Sequence, residues 1–324
     1  MNDAERAARS PRRLPGWPAA VVGAFGLIVV SWVCLSSWDA VRHSHPAYPV
    51  LLALTALCSL VTLALALVRR RRGRRGRLPL ALQVLGLLAG ALAIAGIGWL
   101  RPLTAVEPAL AALRSDGAVV VQETFDTIVI APRDGTRPSG LFFQPGARVD
   151  ARAYAAVLRP LAEDGHTVVI AKQPLGVAFL AIGAFDDARA AHPNVTSWVL
   201  GGHSLGGTVA AIQAGDGQQD STAPAVGLLL YASYPATDMS SDLRIPVLSI
   251  AGTNDGLATT DEIEATRSDL PPGARFELID GASHAQFGSY GPQAGDGIPT
   301  VSNDEARVRI ADLTREFIGT IVEG

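Results

Sequence analysis

Residues 201–207 read Gly-Gly-His-Ser-Leu-Gly-Gly, a Gly-x-Ser-x-Gly pattern centred on Ser204. It follows the apolar run Ser197–Leu200 and precedes the small-residue stretch Thr208–Ala214. That context predicts a strand, a sharp turn with serine at its apex, and a helix, the setting of a nucleophile elbow. Glycines flank the serine because the turn is strained and the helix must approach the strand too closely for a Cβ. A serine hydroxyl is a weak nucleophile until a base takes its proton, so the pattern has chemical meaning only with a histidine and an acid to serve it.

Both lie downstream. The β-like run Val247–Ile250 breaks at Ala251-Gly252-Thr253-Asn254-Asp255-Gly256, which places Asp255 in the loop just past a strand end. Phe276–Ile279 reads as another strand, followed by Gly281-Ala282-Ser283-His284. In the expected arrangement His284 is the base for Ser204, and Asp255 fixes its tautomer and stabilises the imidazolium. The chain order serine, acid, histidine differs from the chymotrypsin and subtilisin orders. Each of the three follows the carboxyl end of a strand, where open α/β sheets place their ligands.

Other residues compete less well. His203 adjoins the serine, but neighbours on a tight turn diverge, so it reads as a supporting or site-lining residue. His166 and His192 follow no acid-bearing strand end and read as structural. Asp238 and Asp242 could supply the acid after the strand Gly227–Tyr231, with Asp255 better placed, and Asp280 reads as a turn residue. An oxyanion hole needs two N–H donors: Leu205, the residue after the nucleophile, and an amide after an earlier strand. Leu141–Ala147 has that form, with Gly146 or Ala147 as the donor. Lys172, the chain's single lysine, follows the strand Thr167–Ala171 on the same edge and is a candidate to line the site.

These residues need a scaffold. After a connector rich in Ala and Pro (Arg101–Ala118), strands are expected at Thr127–Ala131, Leu141–Phe143, Thr167–Ala171, Gly227–Tyr231, Val247–Ile250 and Arg275–Ile279, besides the one leading to Ser204. Helices are expected at Arg152–Asp164, Val177–Ala191 and Asp261–Asp269 and from Asp304 to the C-terminus. Alternation of this kind predicts an α/β fold with a mostly parallel sheet and helices on both faces. No metal-ligand cluster is evident, and the chemistry requires no cofactor.

The remaining third has a different composition. Of the 324 residues 48% are hydrophobic, and the nearly uncharged runs at about 19–38, 47–68 and 80–100 are each long enough to cross a bilayer as a helix. Residues 1–104 hold thirteen arginines against three acids, a net of +10, whereas 105–324 carry a net of −13. Arg6, Arg9, Arg12 and Arg13 precede the first span, and seven arginines lie between Arg69 and Arg77, joining the second and third. The positive-inside bias puts both clusters in the cytoplasm and the rest of the chain, an enzyme domain over 105–324, outside it. Between two spans an arginine run is a topology signal and a contact for anionic lipids rather than a nucleic-acid site. Cys34 and Cys58 both fall inside spans, so the outer domain must be held by its core and not by disulfides.

From about Leu141 to Phe317 the chain resembles a bacterial alpha/beta hydrolase group of the fold-5 type. The stretches that carry the likeness are Gln144–Asp150, Ala171–Pro174, Gly201–Gly207, Ala232–Ala236 and His284–Gly288 running on to Tyr290–Gln293. The resemblance implies the hydrolase fold, supports Ser204, Asp255 and His284 as a triad, and draws Gln286 into the list of site-lining candidates. Members with a cap domain insert it where this chain has only about a dozen residues between Ala232 and Pro246, so no cap is expected. The expected activity is a membrane-anchored serine hydrolase acting on a carboxylic ester, a small molecule or a lipid-like one. Thioesterase, peptidase or perhydrolase chemistry with the same triad is the alternative within enzymes, and a non-catalytic membrane scaffold the alternative outside them.

Overall fold

The computed structural model of the chain describes residues 17–71 and 79–322, so the arginines before Trp17 and those at 72–77 lie outside the described residues. Contacts divide the chain into two units, one of residues up to Val41 with Ala47–Arg101, the other of Arg42–Pro46 with Pro102 onward.

Among its described residues the first unit has the helices α1 (Trp17–His43), α2 (Ala47–Arg71) and α3 (Leu80–Trp99), all long and apolar enough to cross a membrane. Helix α1 runs five residues past the expected end and bends at Ser37, whose φ and ψ of −145° and 27° leave the helical region. Helices α1 and α2 meet closely at Gly26, where a Cβ would stand 2.1 Å from Ser59 Oγ. Tyr48 ties α2 to α3 by donating to Ile97 O at 3.0 Å.

The second unit is built on one eight-stranded sheet in the order β1-β2-β4-β3-β5-β6-β7-β8. Its strands are β1 (Val119–Glu123), β2 (Thr127–Pro132), β3 (Ser139–Gln144), β4 (Thr167–Ala171), β5 (Ser197–His203), β6 (Ala225–Tyr231), β7 (Val247–Gly252) and β8 (Arg275–Ile279). All pairs from β4 to β8 are parallel, while β2 runs antiparallel to both β1 and β4. The helices are α4 (Ala109–Ala112), α5 (Ala155–Glu163), α6 (Ala184–Ala191), α7 (Leu205–Gly217), α8 (Thr260–Ala265) and α9 (Asn303–Val322).

Period-two alternation explains the layers. Leu141, Phe143, Val168, Ile170, Leu229 and Tyr231 point to the face covered by α5 and α9. Phe142, Val169, Leu200, Leu228 and Leu230 point to the face covered by α6 and α7. Buried on both faces, these strands read as continuous apolar runs, as parallel strands do. The order β4-β3-β5 places the point where the chain reverses direction between β3 and β5, so a crevice opens outside their carboxyl ends.

Two details differ from the sequence expectation, and the short stretch expected to hold no cap is a plain loop. Val119–Glu123, assigned to no element, forms the edge strand β1. The expected helix 177–191 is regular only over Ala184–Ala191, because Leu175 and Gly176 take positive φ and the chain passes through short 3-10 turns first. Residues 232–246, where a cap would be inserted, carry no helix or strand.

Candidate active site

Ser204 stands between β5 and α7 with φ 53° and ψ −128°, a conformation L-residues avoid and one that costs about 1–3 kcal/mol. The surroundings hold it there. Its N–H donates to Tyr231 O at 3.0 Å, and its carbonyl accepts from Gly207 N at 2.9 Å and from Ser233 Oγ at 2.6 Å. The glycines are required by close approach: a Cβ on Gly202 would lie 2.4 Å from Gly206 C, and one on Gly206 would lie 2.1 Å from Gln144 O and 2.3 Å from Pro145 O. Helix α7 thus packs directly on the loop after β3.

Asp255 and His284 meet although they are 29 residues apart. Asp255 follows β7, and its Oδ1 accepts from the N–H groups of Leu257 (2.8 Å) and Ala258 (2.7 Å). Its Oδ2 lies 2.8 Å from His284 Nδ1, with both side chains almost wholly buried. A carboxylate can only accept, so Nδ1 carries the proton and Nε2 is left with a lone pair. Ser204 Oγ and His284 Nε2 make no direct hydrogen bond, a contact that in serine enzymes tightens when substrate is in place.

Sequence reasoning missed Asp296. Its carboxylate accepts from four backbone N–H groups: His284 (3.0 Å), Ala285 (2.8 Å), Gly297 (2.7 Å) and Gly256 (3.2 Å). Burial, the largest single influence, raises its pKa, but the four donors together outweigh it and hold the carboxyl below the ordinary range. Asp296 thereby joins the loop bearing Asp255 to the loop bearing His284. Its only sequence signal, Gly-Asp-Gly at 295–297, reads as a surface turn.

At the oxyanion position the structure separates the two candidates. Gly146 N already donates to Tyr154 Oη at 2.9 Å, and that hydroxyl in turn lies 2.8 Å from His203 Nδ1. The Gly146 N–H is therefore already committed, which leaves Ala147 of the two alternatives. The neighbouring amide of Ala147 has no acceptor among the described residues. Leu205 opens α7, so its N–H has no helical acceptor either. The loop itself is fixed by buried amides: Gln173 Nε2 donates to Gln144 Oε1 (2.9 Å) and Pro145 O (2.8 Å), and Gln144 Nε2 to Gln213 Oε1 (3.3 Å).

The three site-lining candidates separate as well. His203 is fully buried, with its ring centroid 4.4 Å from that of His284. Lys172 is held by Glu123 Oε1 (2.7 Å) and Thr124 O (2.6 Å) at the β1–β2 turn. Gln286 accepts from Ser283 N (3.1 Å) and donates to Val301 O (3.0 Å) and Asn303 Oδ1 (2.8 Å), so its amide secures the start of α9 instead of facing the site. Of the rejected acids, Asp280 accepts from Thr253 Oγ1 in the loop after β7, and Asp238 accepts from Ser240 N in a local turn.

Two expected results follow from these contacts. Gly206→Ala drives a methyl group into the carbonyls of Gln144 and Pro145 and displaces Ala147, so kcat is expected to fall roughly 10²–10³-fold, the cost of one lost oxyanion donor, measured with a soluble ester. The second concerns acid stability. Burial, and secondarily the neighbouring His284, holds His203 well below the usual histidine range, and burial also lowers His166 and His192. The native chain keeps them neutral while the unfolded chain takes up protons near pH 6.5, so their stabilisation is complete above that pH and lost below it. The melting temperature is expected to begin falling below about pH 6.5. His203→Asn, which can still accept from Tyr154, should flatten the fall.

An open, mostly parallel sheet with a strained serine after its central strand, and a buried histidine–aspartate pair beyond later strands, defines the class of α/β hydrolases. The chain belongs to the alpha/beta hydrolase family, whose model matches residues 140–308. No curated protein matches the sequence. Among solved structures it is similar to a thermophilic esterase from Thermogutta terrifontis, at 16% identity and a TM-score of 0.45, covering 63% of this chain and 93% of that one. It is also similar to a Pyrobaculum calidifontis esterase (13% identity, TM-score 0.47, 67% and 91% covered). A third is a dienelactone hydrolase-like promiscuous phosphotriesterase from metagenomic libraries (16% identity, TM-score 0.44, 62% and 99% covered).

Proposed function

We propose that the chain is a membrane-anchored serine hydrolase that cleaves a carboxylic ester through Ser204, His284 and Asp255. The observation that carries this reading is the strained Ser204 at the head of α7 beside the buried His284–Asp255 pair at 2.8 Å. His284 Nε2 takes the Ser204 hydroxyl proton as Oγ bonds to the substrate carbonyl carbon. The resulting oxyanion is held by the N–H groups of Leu205 and Ala147. Collapse breaks the carbon–oxygen bond to the alcohol, which leaves with the proton from His284. Water then attacks the acyl-serine, with His284 again as base, and the acid departs. Asp255 orients the ring and stabilises the imidazolium.

Hydrolysis of para-nitrophenyl esters of graded acyl length by the full chain in detergent tests this. Turnover that Ser204→Ala loses supports it, and equal rates for the two proteins contradict it. The three apolar helices support anchoring, and the arginine bias supports an orientation with the hydrolase unit outside the cytoplasm. A phosphatase reporter fused after Gly324, active only on exported proteins, is expected to be active. Activity of a cytoplasm-only reporter at that position would reverse the orientation.

A further inference from the structure

The hydrolase unit is joined to the apolar helices at three points of the chain, after Val41, before Ala47 and after Arg101. The residues just inside those points lie on the edge of the sheet that carries Ser204. Leu103 pairs with Val149, its N–H donating to Arg148 O at 2.8 Å and its carbonyl accepting from Asp150 N at 3.0 Å. These partners directly follow Ala147, the candidate oxyanion donor. In the other connection, His43 Nδ1 is 2.9 Å from Glu123 Oε1, and the His45 ring packs edge-on against Phe125 at 6.4 Å. Glu123 ends β1, which runs parallel to β4, so the β1–β2 turn belongs to the same carboxyl edge. Lys172 Nζ, bonded to both Glu123 and Thr124, secures that turn to the end of β4.

The same edge exposes large apolar side chains. Phe125 is 65% exposed, Phe179 46%, Leu180 56% and Ile182 48%. The last three lie in the segment after β4, where Ala181 O accepts from Gln144 Nε2 at 3.2 Å, which fixes them beside the loop bearing Ala147. A cluster of large apolar residues in water at the rim of a site marks a surface that meets something apolar. The chain itself says what that is. Trp38 lies four residues before Arg42, and Trp99 four before Leu103. Tryptophans at the ends of spans sit at headgroup level, and four residues reach at most about 14 Å.

We propose that the carboxyl edge of the sheet, with Phe125, Phe179, Leu180 and Ile182, docks on the bilayer to which the helices tether it. The substrate is then an amphiphilic ester resident in that bilayer, its acyl chain passing along this rim to Ser204 without crossing bulk water. The substrate half of the proposal rests on the hydrolase reading above. The docking half does not.

Two measurements on the full chain test it. The first uses Cys34→Ala and Cys58→Ala as background, with either Phe179→Cys or Ser221→Cys labelled with bimane and the protein reconstituted in phosphatidylcholine vesicles. Ser221 is exposed in the loop before β6, at the opposite edge of the sheet. Brominated acyl chains are expected to quench the label at position 179 several-fold more than at 221, and equal or weaker quenching at 179 overturns the docking. The second compares wild type with the double variant Phe179→Glu and Leu180→Glu on para-nitrophenyl acetate in solution and para-nitrophenyl palmitate in vesicles. Turnover of palmitate is expected to drop several-fold while that of acetate is unchanged. A parallel loss of both, or of neither, overturns the proposed route. Quenching at 179 without turnover of any ester by wild type overturns the hydrolase reading and the substrate half with it, and leaves the docking supported.

Discussion

Ser204→Ala is expected to lower ester turnover by roughly 10⁶-fold while leaving the melting temperature unchanged. The size of the loss follows from the role: without the hydroxyl no acyl-enzyme forms, and only substrate binding and the oxyanion donors remain. The unchanged stability follows from the contacts. All bonds that hold Ser204 at φ 53° use its backbone, to Tyr231 O, Gly207 N, Thr208 N and Ser233 Oγ, and none uses its own hydroxyl. Alanine tolerates positive φ no worse than serine does. Steady-state rates and a thermal melt of the two full-length proteins check both halves.

Asp255→Asn is expected to reduce kcat by about 10⁴-fold with little change in KM. The reason lies in what the carboxylate faces. Oδ1 accepts from two backbone N–H groups, Leu257 and Ala258, and Oδ2 faces His284 Nδ1. An asparagine must keep its carbonyl oxygen toward the two N–H donors, because its NH₂ cannot accept. The NH₂ then points at Nδ1, which becomes the acceptor, and the ring proton moves to Nε2. His284 would then present a proton to Ser204 in place of a lone pair. A kcat that falls by less than an order of magnitude would assign the acid role to another group.

The parts of the site legible in the sequence are those that local pattern dictates. A strand followed by a turn gives Ser204, Asp255 and His284 their places, and period-two alternation gives the sheet. What stayed hidden is joined over long separations. Tyr154 and His203 are 49 residues apart, and their contact is what removes Gly146 from the oxyanion candidates. Asp296 looks like a loop residue until three of its four backbone donors are brought to it from two other loops. Lys172 and Gln286 stand at the right edge or in the right motif, yet each side chain turns to a partner that only tertiary structure supplies. The run Val177–Ile182 has the apolar content of a helix and is instead an irregular segment on the rim, because Gly176 and Leu175 take positive φ just before it.

The central claim, that Ser204 is an activated nucleophile, is tested most directly by covalent labelling. The full chain in detergent is treated with a fluorophosphonate probe, and the modified peptide is located by mass spectrometry. The predicted result is a single adduct on Ser204, absent from Ser204→Ala and strongly slowed in Asp255→Asn. Failure of wild type to label, or equal labelling of Ser204→Ala, would contradict it.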